Sequence, residues 1–171
     1  MPNPVFEAVR TVLAIREYQD KSVADDVVRT VAEAGRLTAS ARNLQPWHFV
    51  VVRDRGRLQA LGRLVRTGPY IANSAFAIVV AIDRSNHLAV SDASRAIQSM
   101  ILAAWGDGLG SNWAGFSGLA EVATELEVPD TYDVLAVLPF GYPARRVGRG
   151  KKNRRPFEEV VSAERFGQPW S

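Results

Sequence analysis

Catalysis by side chains needs a nucleophile, a tuned acid or base, or a cluster of metal ligands, and this sequence offers few of them. It has no cysteine, which excludes a disulfide scaffold, an iron–sulfur cluster and a thiolate nucleophile. Its two histidines, His48 and His87, do not make a His-rich metal site. No G-x-S-x-G segment exists to present a serine on a strained elbow. His48 alternates with Trp47 and Phe49 and reads as a structural group in a strand. Asp25–Asp26 and Glu158–Glu159 are neighbours in sequence, so in regular structure they point in different directions. GDGLG at 106–110 has a glycine spacing like that of a dinucleotide fingerprint, yet a helix precedes it where a strand is required. Gly106 or Gly108 reads as a helix C-cap. With no catalytic side chain and no metal site, a reaction on this chain calls for a cofactor that carries the chemistry itself.

Charge gives the first hint of a ligand. Residues 144–155, ARRVGRGKKNRR, hold seven Lys or Arg and no acid. The rest of the chain carries 14 basic against 18 acidic residues, so a mildly acidic globule bears one cationic segment. Such a segment suits an anion: either it is a solvated or RNA-binding arm, or it holds the phosphate of a small cofactor. The run contains no aromatic for base stacking, which argues against nucleic acid.

The elements that must position these groups follow from length and periodicity. At 171 residues, 47% hydrophobic, one domain is expected, large enough to fold without staples. The longest apolar run, Ala75 to Ile82, is far short of the roughly 18 residues of a membrane span. No secretory signal is read at the start, and the expectation is a soluble cytoplasmic protein with no membrane partner. Helical spacing predicts helices over 4–14, from a Ser22–Asp25 capping box to about 38, over 55–65 behind Asp54, from Ser91 or Asp92 to the glycines at 106–110, and from Ser117 to Pro129. Trp47–Val52, Phe76–Ile82 and Val134–Phe140 read as buried strands, and Ser111–Phe116 as short and extended. Strands separated by helices imply an α/β or α+β sandwich with helices on both faces of a sheet. Val160, Val161 and Phe166 in the tail need a surface to bury against, which a partner subunit would supply.

Several segments, in order along the chain, carry a specific resemblance. SARNLQPWHFVVV (40–52) looks like the S-x-x-N-x-Q-P-W-x-F-V-V-V segment of the FMN-dependent nitroreductase family. IREY (15–18) resembles part of its R-R-S-x-R-x-F/Y region, GLGSNWAGF (108–116) its G-L-G-s-x-w-x-G-F stretch, and VLPFGYP (137–143) the strand and turn that follow. KNRRP (152–156) resembles its K-x-R-x-P, and EVVSAERFG its C-terminal strand and tail. The resemblance implies an α+β fold, a three-layer α/β/α sandwich, spanning residues 1–171 as one FMN-binding domain. It also implies a homodimer with an exchanged C-terminal segment, residues 156–171 packing on the partner.

The same resemblance implies roles for individual residues. Lys152 and Arg154 would clamp the FMN phosphate. Arg16 would lie near the flavin pyrimidine edge, and Ala114 and Gly115 would aim a backbone N–H at flavin N5. Ser40 and Asn43 would reach the ring across the dimer interface. The implied activity is ping-pong electron transfer from NAD(P)H through FMN to a small acceptor such as a nitroaromatic or quinone, with no catalytic side chain and no metal. One departure stands out: Val12-Leu13-Ala14 replaces the usual Arg-Arg-Ser. Charged hydrogen bonds are worth roughly 1.5–3 kcal/mol each, so FMN affinity is expected to fall by about one to four orders of magnitude unless Arg10 compensates. The competing reading is a flavin-free or weakly binding homologue that serves as a binding or assembly protein.

Overall fold

Helix α1 (Pro4–Thr11) starts where Asn3 Oδ1 accepts hydrogen bonds from the Val5 and Phe6 N–H groups, with Pro4 at the first helical position. The computed structural model describes residues 3–115, 117–148 and 152–170. The chain leaves helix at Val12, three residues earlier than the periodicity predicts, and runs on extended. Ile15 N–H donates to Ser111 O (2.8 Å), and Gln19 N–H to Tyr142 O (2.8 Å). These long-range bonds tie the strap to β3 and to the turn after β4.

Helix α2 (Asp25–Arg36) follows, then strand β1 (Trp47–Val52), helix α3 (Arg55–Leu64) and strand β2 (Phe76–Asp83). Next come helix α4 (Ala89–Gly106), strand β3 (Gly110–Ser111), helix α5 (Leu119–Glu125) and strand β4 (Tyr132–Gly141). The strands form one antiparallel sheet in the order β1-β2-β4-β3. Between Val80 and Ala81 the β2–β4 register shifts, leaving Leu135 as the extra residue of a bulge.

Helices cover both faces of the sheet. On one, Val28 and Val31 of α2 and Ala93, Ile97 and Met100 of α4 pack on Phe76, Ile78, Val80, Leu138 and Phe140. The Phe76 and Phe140 rings stack at 4.9 Å. On the other, Leu58 and Leu61 of α3 and Val122 of α5 pack on Ala77, Val79, Val134 and Val137. Burying each large apolar side chain contributes about 1.5–3 kcal/mol, so these two layers hold the sheet that positions everything else. The three-layer sandwich is thus present within one chain.

The structure corrects several local expectations. β1 is the edge of the sheet, with His48 and Val51 exposed, because the order places it outside β2. Neither Ser22 nor Ser117 caps a helix. α2 begins after Ala24 without a side-chain cap, and α5 begins after Gly118 at φ +79°. Asp92 lies inside the first turn of α4, which begins after Leu88. Asp54 does cap α3, accepting from Arg57 N–H at 2.9 Å, and Gly108 takes the left-handed turn just past α4. The described tail forms only a 3-10 turn (Phe157–Glu159) where a strand was expected. Phe157, Val160, Phe166 and Trp170 stand exposed.

Replacing Asp54 with Ala is expected to lower stability by about 1 kcal/mol, whereas Ser22→Ala should stay within about 0.5 kcal/mol of the parent. Denaturant unfolding of both variants checks this; equal losses would contradict the caps described here.

Candidate functional site

The extended strap after α1, the segment from β3 to Trp113 and the late basic segment enclose a cleft of about 820 Å³. Phe6, Val9, Val12, Leu13, Ile101 and Trp113 give it an apolar wall. Arg10, Lys152 and Arg154 also line it, joined by the neutral polar groups of Gln98, Ser111 and Asn112. Val12, Leu13 and Ala14 therefore face this cleft as apolar lining.

Lys152 crosses 143 positions of sequence to donate its Nζ to the Val9 carbonyl (2.6 Å). That oxygen belongs to the last turn of α1, where carbonyls lack intrahelical donors. Burial, and then the neighbouring Arg154 charge, push the Lys152 ammonium below the ordinary lysine range. Among the described residues no carboxylate pairs with Lys152 or Arg154. Among the described residues the Arg154 guanidinium reaches its neighbour's carbonyl, Asn153 O, at 2.9 Å. An anion in the cleft would meet two cations whose charges are otherwise uncompensated.

Arg16 lines an adjoining polar cleft of about 530 Å³ with Asn73, Arg55 and Gln59. Its guanidinium lies 6.0 Å from the centroid of the Tyr70 ring. The Tyr70 hydroxyl accepts from Asn112 Nδ2, and Asn112 itself lines the first cleft. Asn112 and Tyr70 thus link Arg16 to the cationic cleft. Sequence reading missed both, since Asn112 occupies a variable position of the matched segment and Tyr70 lies outside every match. Close by, the Tyr18 hydroxyl donates to Ile15 O at 2.8 Å. Burial, reinforced by Tyr70 and weakly opposed by Arg16, drives its pKa far above the usual tyrosine range. Tyr18 remains a neutral donor that fastens the strap to β4.

Ala114 exchanges hydrogen bonds with Val137 of β4, N–H to O at 3.0 Å and O from N–H at 2.7 Å. Its N–H is therefore committed to the sheet edge. Gly115 N–H makes no hydrogen bond among the described residues. A Cβ on Gly115 would come within 2.9 Å of Leu135 O and 3.2 Å of Trp113 Nε1. The small residue is thus demanded by the chain's own bulged strand. Neither Ala114 nor Gly115 lines the cationic cleft, which they follow directly in sequence.

Ser40 and Asn43 lie elsewhere, beside the N-terminal end of α4, in a tight loop. Arg42, Asn43 and Gln45 all adopt left-handed φ values, 52°, 56° and 49°. Such conformations cost about 1 kcal/mol or more each and persist where surroundings over-determine them. Asp92, 1% exposed, accepts from Ala41 N–H at 3.0 Å and pairs with Arg95. Ser40 Oγ accepts from Gln45 N–H at 2.9 Å, leaving its own proton available to donate. Asp92 is the other residue sequence reading missed, because an acid in a first turn carries no sign that it will fasten a distant loop.

The structure thus brings Lys152 and Arg154 together with α1 and Ser111–Trp113, and sets Arg16 in the neighbouring cleft. It does not bring Ser40 and Asn43 to that cleft within one chain. Among the described residues no three His, Asp or Glu groups are placed to hold a metal. No described helix is long and apolar enough to cross a membrane.

An apolar wall beside Lys152 and Arg154, which no described carboxylate pairs, fits a ligand with an aromatic ring system and an anionic end. Comparison with known proteins agrees. The sequence model of the nitroreductase family matches residues 10–81 and 66–142. A protein of Methanothermobacter thermautotrophicus, provisionally named an NADH dehydrogenase/NAD(P)H nitroreductase, is 33% identical over 152 residues, covering 84% of this chain and 80% of its own. A provisionally named nitroreductase of Desulfovibrio desulfuricans, solved with FMN, superimposes with a TM-score of 0.82 at 33% identity, covering 97% of this chain and 99% of that one. An FMN-dependent nitroreductase of Clostridium difficile gives a TM-score of 0.85 at 26% identity, over 94% and 99% of the two chains. By these matches, which span both the sheet and the strap that closes the cleft, the chain belongs to the nitroreductase family.

Proposed function

We propose that the chain passes reducing equivalents from NAD(P)H to a small acceptor, a nitroaromatic or a quinone, the two substrates taking turns at one open cleft. Family membership makes it an oxidoreductase with FMN as cofactor and NAD(P)H as reductant. The observation that carries the reading is the meeting of Lys152 and Arg154 with α1 and Ser111–Trp113 in one cleft.

FMN supplies reversible two-electron transfer at its ring. The chain's contribution is binding, orientation and electrostatics. Lys152 and Arg154 hold the phosphate, which offsets their mutual repulsion. The apolar wall of Val12, Leu13, Ile101 and Trp113 excludes water from the ring. Arg16, over Tyr70, would supply positive charge toward a reduced flavin. Gly115 offers an uncommitted N–H at the strand edge, while Ala114 fixes the backbone through Val137. Residues 1–171 act as one FMN-binding unit in a cytoplasmic setting, without nucleic acid as partner.

The functional unit is a homodimer. Ser40 and Asn43 lie outside the cleft of their own chain, and β1 is an edge strand with Val51 exposed. A partner's tail, residues 156–171, laid against such an edge would bury Phe157, Val160 and Trp170 and satisfy its backbone. The two subunits then complete each other's sites, Ser40 and Asn43 from one and Lys152 and Arg154 from the other.

Three experiments address this reading. Lys152→Ala with Arg154→Ala is expected to weaken FMN by about tenfold or more while changing riboflavin, which has no phosphate, little. Equal losses for both flavins in fluorescence titrations would place the pair elsewhere. Truncation after Arg155 is expected to abolish the dimer and flavin retention together, measured by light scattering and visible absorbance. A full-length monomer at micromolar concentration that retains stoichiometric FMN would exclude the shared site. The alternative, a flavin-free assembly protein, predicts a colourless preparation that stays colourless after FMN is added.

A further inference from the structure

We propose that Arg10 is a third phosphate-binding cation of the cleft and sets its preference for flavins that carry a phosphate. The proposal rests on the FMN reading above.

Among the described residues, three cations line the cleft and no Asp or Glu does. Arg10 sits on the last turn of α1, next in sequence to Val9, whose carbonyl receives Lys152 Nζ at 2.6 Å. One helical turn thus carries one cation on its side chain and anchors a second through its backbone. The third, Arg154, is close enough to Lys152 to disfavour its charge. Lys152 and Arg154 converge with no carboxylate partner among the described residues, and a multiply charged anion would reverse the cost of that repulsion, while Arg10 shares its charge with Glu7.

The Arg10 side chain is also held in place. Glu7 accepts from its Nε (3.1 Å) and Nη2 (2.5 Å), which fixes one edge of the guanidinium. Nη1 makes no hydrogen bond among the described residues. A planar fork gripped on one edge with donors left on the other is suited to a phosphate oxygen. The rest of the lining gives this weight. Val12, Leu13 and Ala14, nearest along the strap, offer no donor beyond the backbone, so α1 contributes charge to the cleft only through Arg10. The simpler account is an exposed Glu7–Arg10 helix pair with no ligand role. The two accounts differ in what they predict for ligand binding.

The test is titration of the full-length, flavin-stripped chain with FMN and with riboflavin, followed by flavin fluorescence. Arg10→Gln is expected to raise the FMN Kd by about tenfold and to change riboflavin by less than about twofold. Arg10→Lys, which keeps charge but loses the fork, should fall between. Arg146→Gln removes an exposed cation outside the cleft and should change both flavins by less than about twofold. Thermal unfolding of the unliganded variants checks that the fold is kept. Unchanged FMN binding in Arg10→Gln, or equal loss of both flavins, overturns the proposal. If Lys152→Ala with Arg154→Ala still erases the FMN preference in that case, only the role of Arg10 fails. A parent protein that binds neither flavin removes the FMN reading as well.

Discussion

The hydrogen bond from Lys152 to the Val9 carbonyl joins the late basic segment to the opening helix, and the cleft depends on it. α1 stops at Thr11 because the strap behind it gains long-range partners, Ile15 with Ser111 and Gln19 with Tyr142. Stopping there leaves Val9 O without a helical donor. An ammonium is a good partner for such a carbonyl, since it satisfies the orphan acceptor and complements the negative end of the helix. The same bond draws Lys152 partly out of water, which lowers its pKa and sharpens its demand for an anion. One contact therefore joins a wall of the cleft to one of the cations that line it.

Much of the layered fold was legible because it rests on periodic burial. The run from Phe76 to Ile82 is apolar on both faces, and it became the central strand covered by helices on each side. Trp47–Val52 has similar composition but ended at the edge. Composition reports affinity for a pleated surface and does not report position in the sheet order. Serines near helix starts misled for a related reason. Ser22 and Ser117 have the chemistry of a cap, yet capping needs backbone geometry that only the neighbouring chain decides. Asp54 had both, and it caps.

Legibility of the site divides along the same line. Lys152 and Arg154 announced themselves as charge concentrated in an otherwise acidic chain, a signal that needs no coordinates. Asn112, Tyr70 and Asp92 did not. Each matters through one partner far away in sequence: Tyr70 for Asn112, Arg16 for Tyr70, Ala41 for Asp92. No local pattern encodes such pairings. Gly115 stood out only through the resemblance, which gave no reason for its size. The crowding it avoids comes from Leu135 at the β4 bulge, so the strand irregularity and the glycine are two halves of one packing solution.

The loop from Ser40 to Gln45 shows where the fold has stored strain. Three residues with side chains hold left-handed backbones within four positions, and a buried carboxylate on another helix is committed to keeping them so. A loop free to relax would shed that cost, so the Asp92 contact selects a geometry over a more comfortable one. Nothing in the cationic cleft of the same chain uses that geometry, since Ser40 and Asn43 lie outside its lining. An exposed apolar tail and an edge strand stand in the same relation, each a surface left uncovered among the described residues. Strain without a local use, apolar groups without a local cover and a strand without an outer neighbour are three separate costs. In the proposed dimer a second copy of the chain would offset all three at once, so the cost of the dimer geometry and its use would fall on the same contacts.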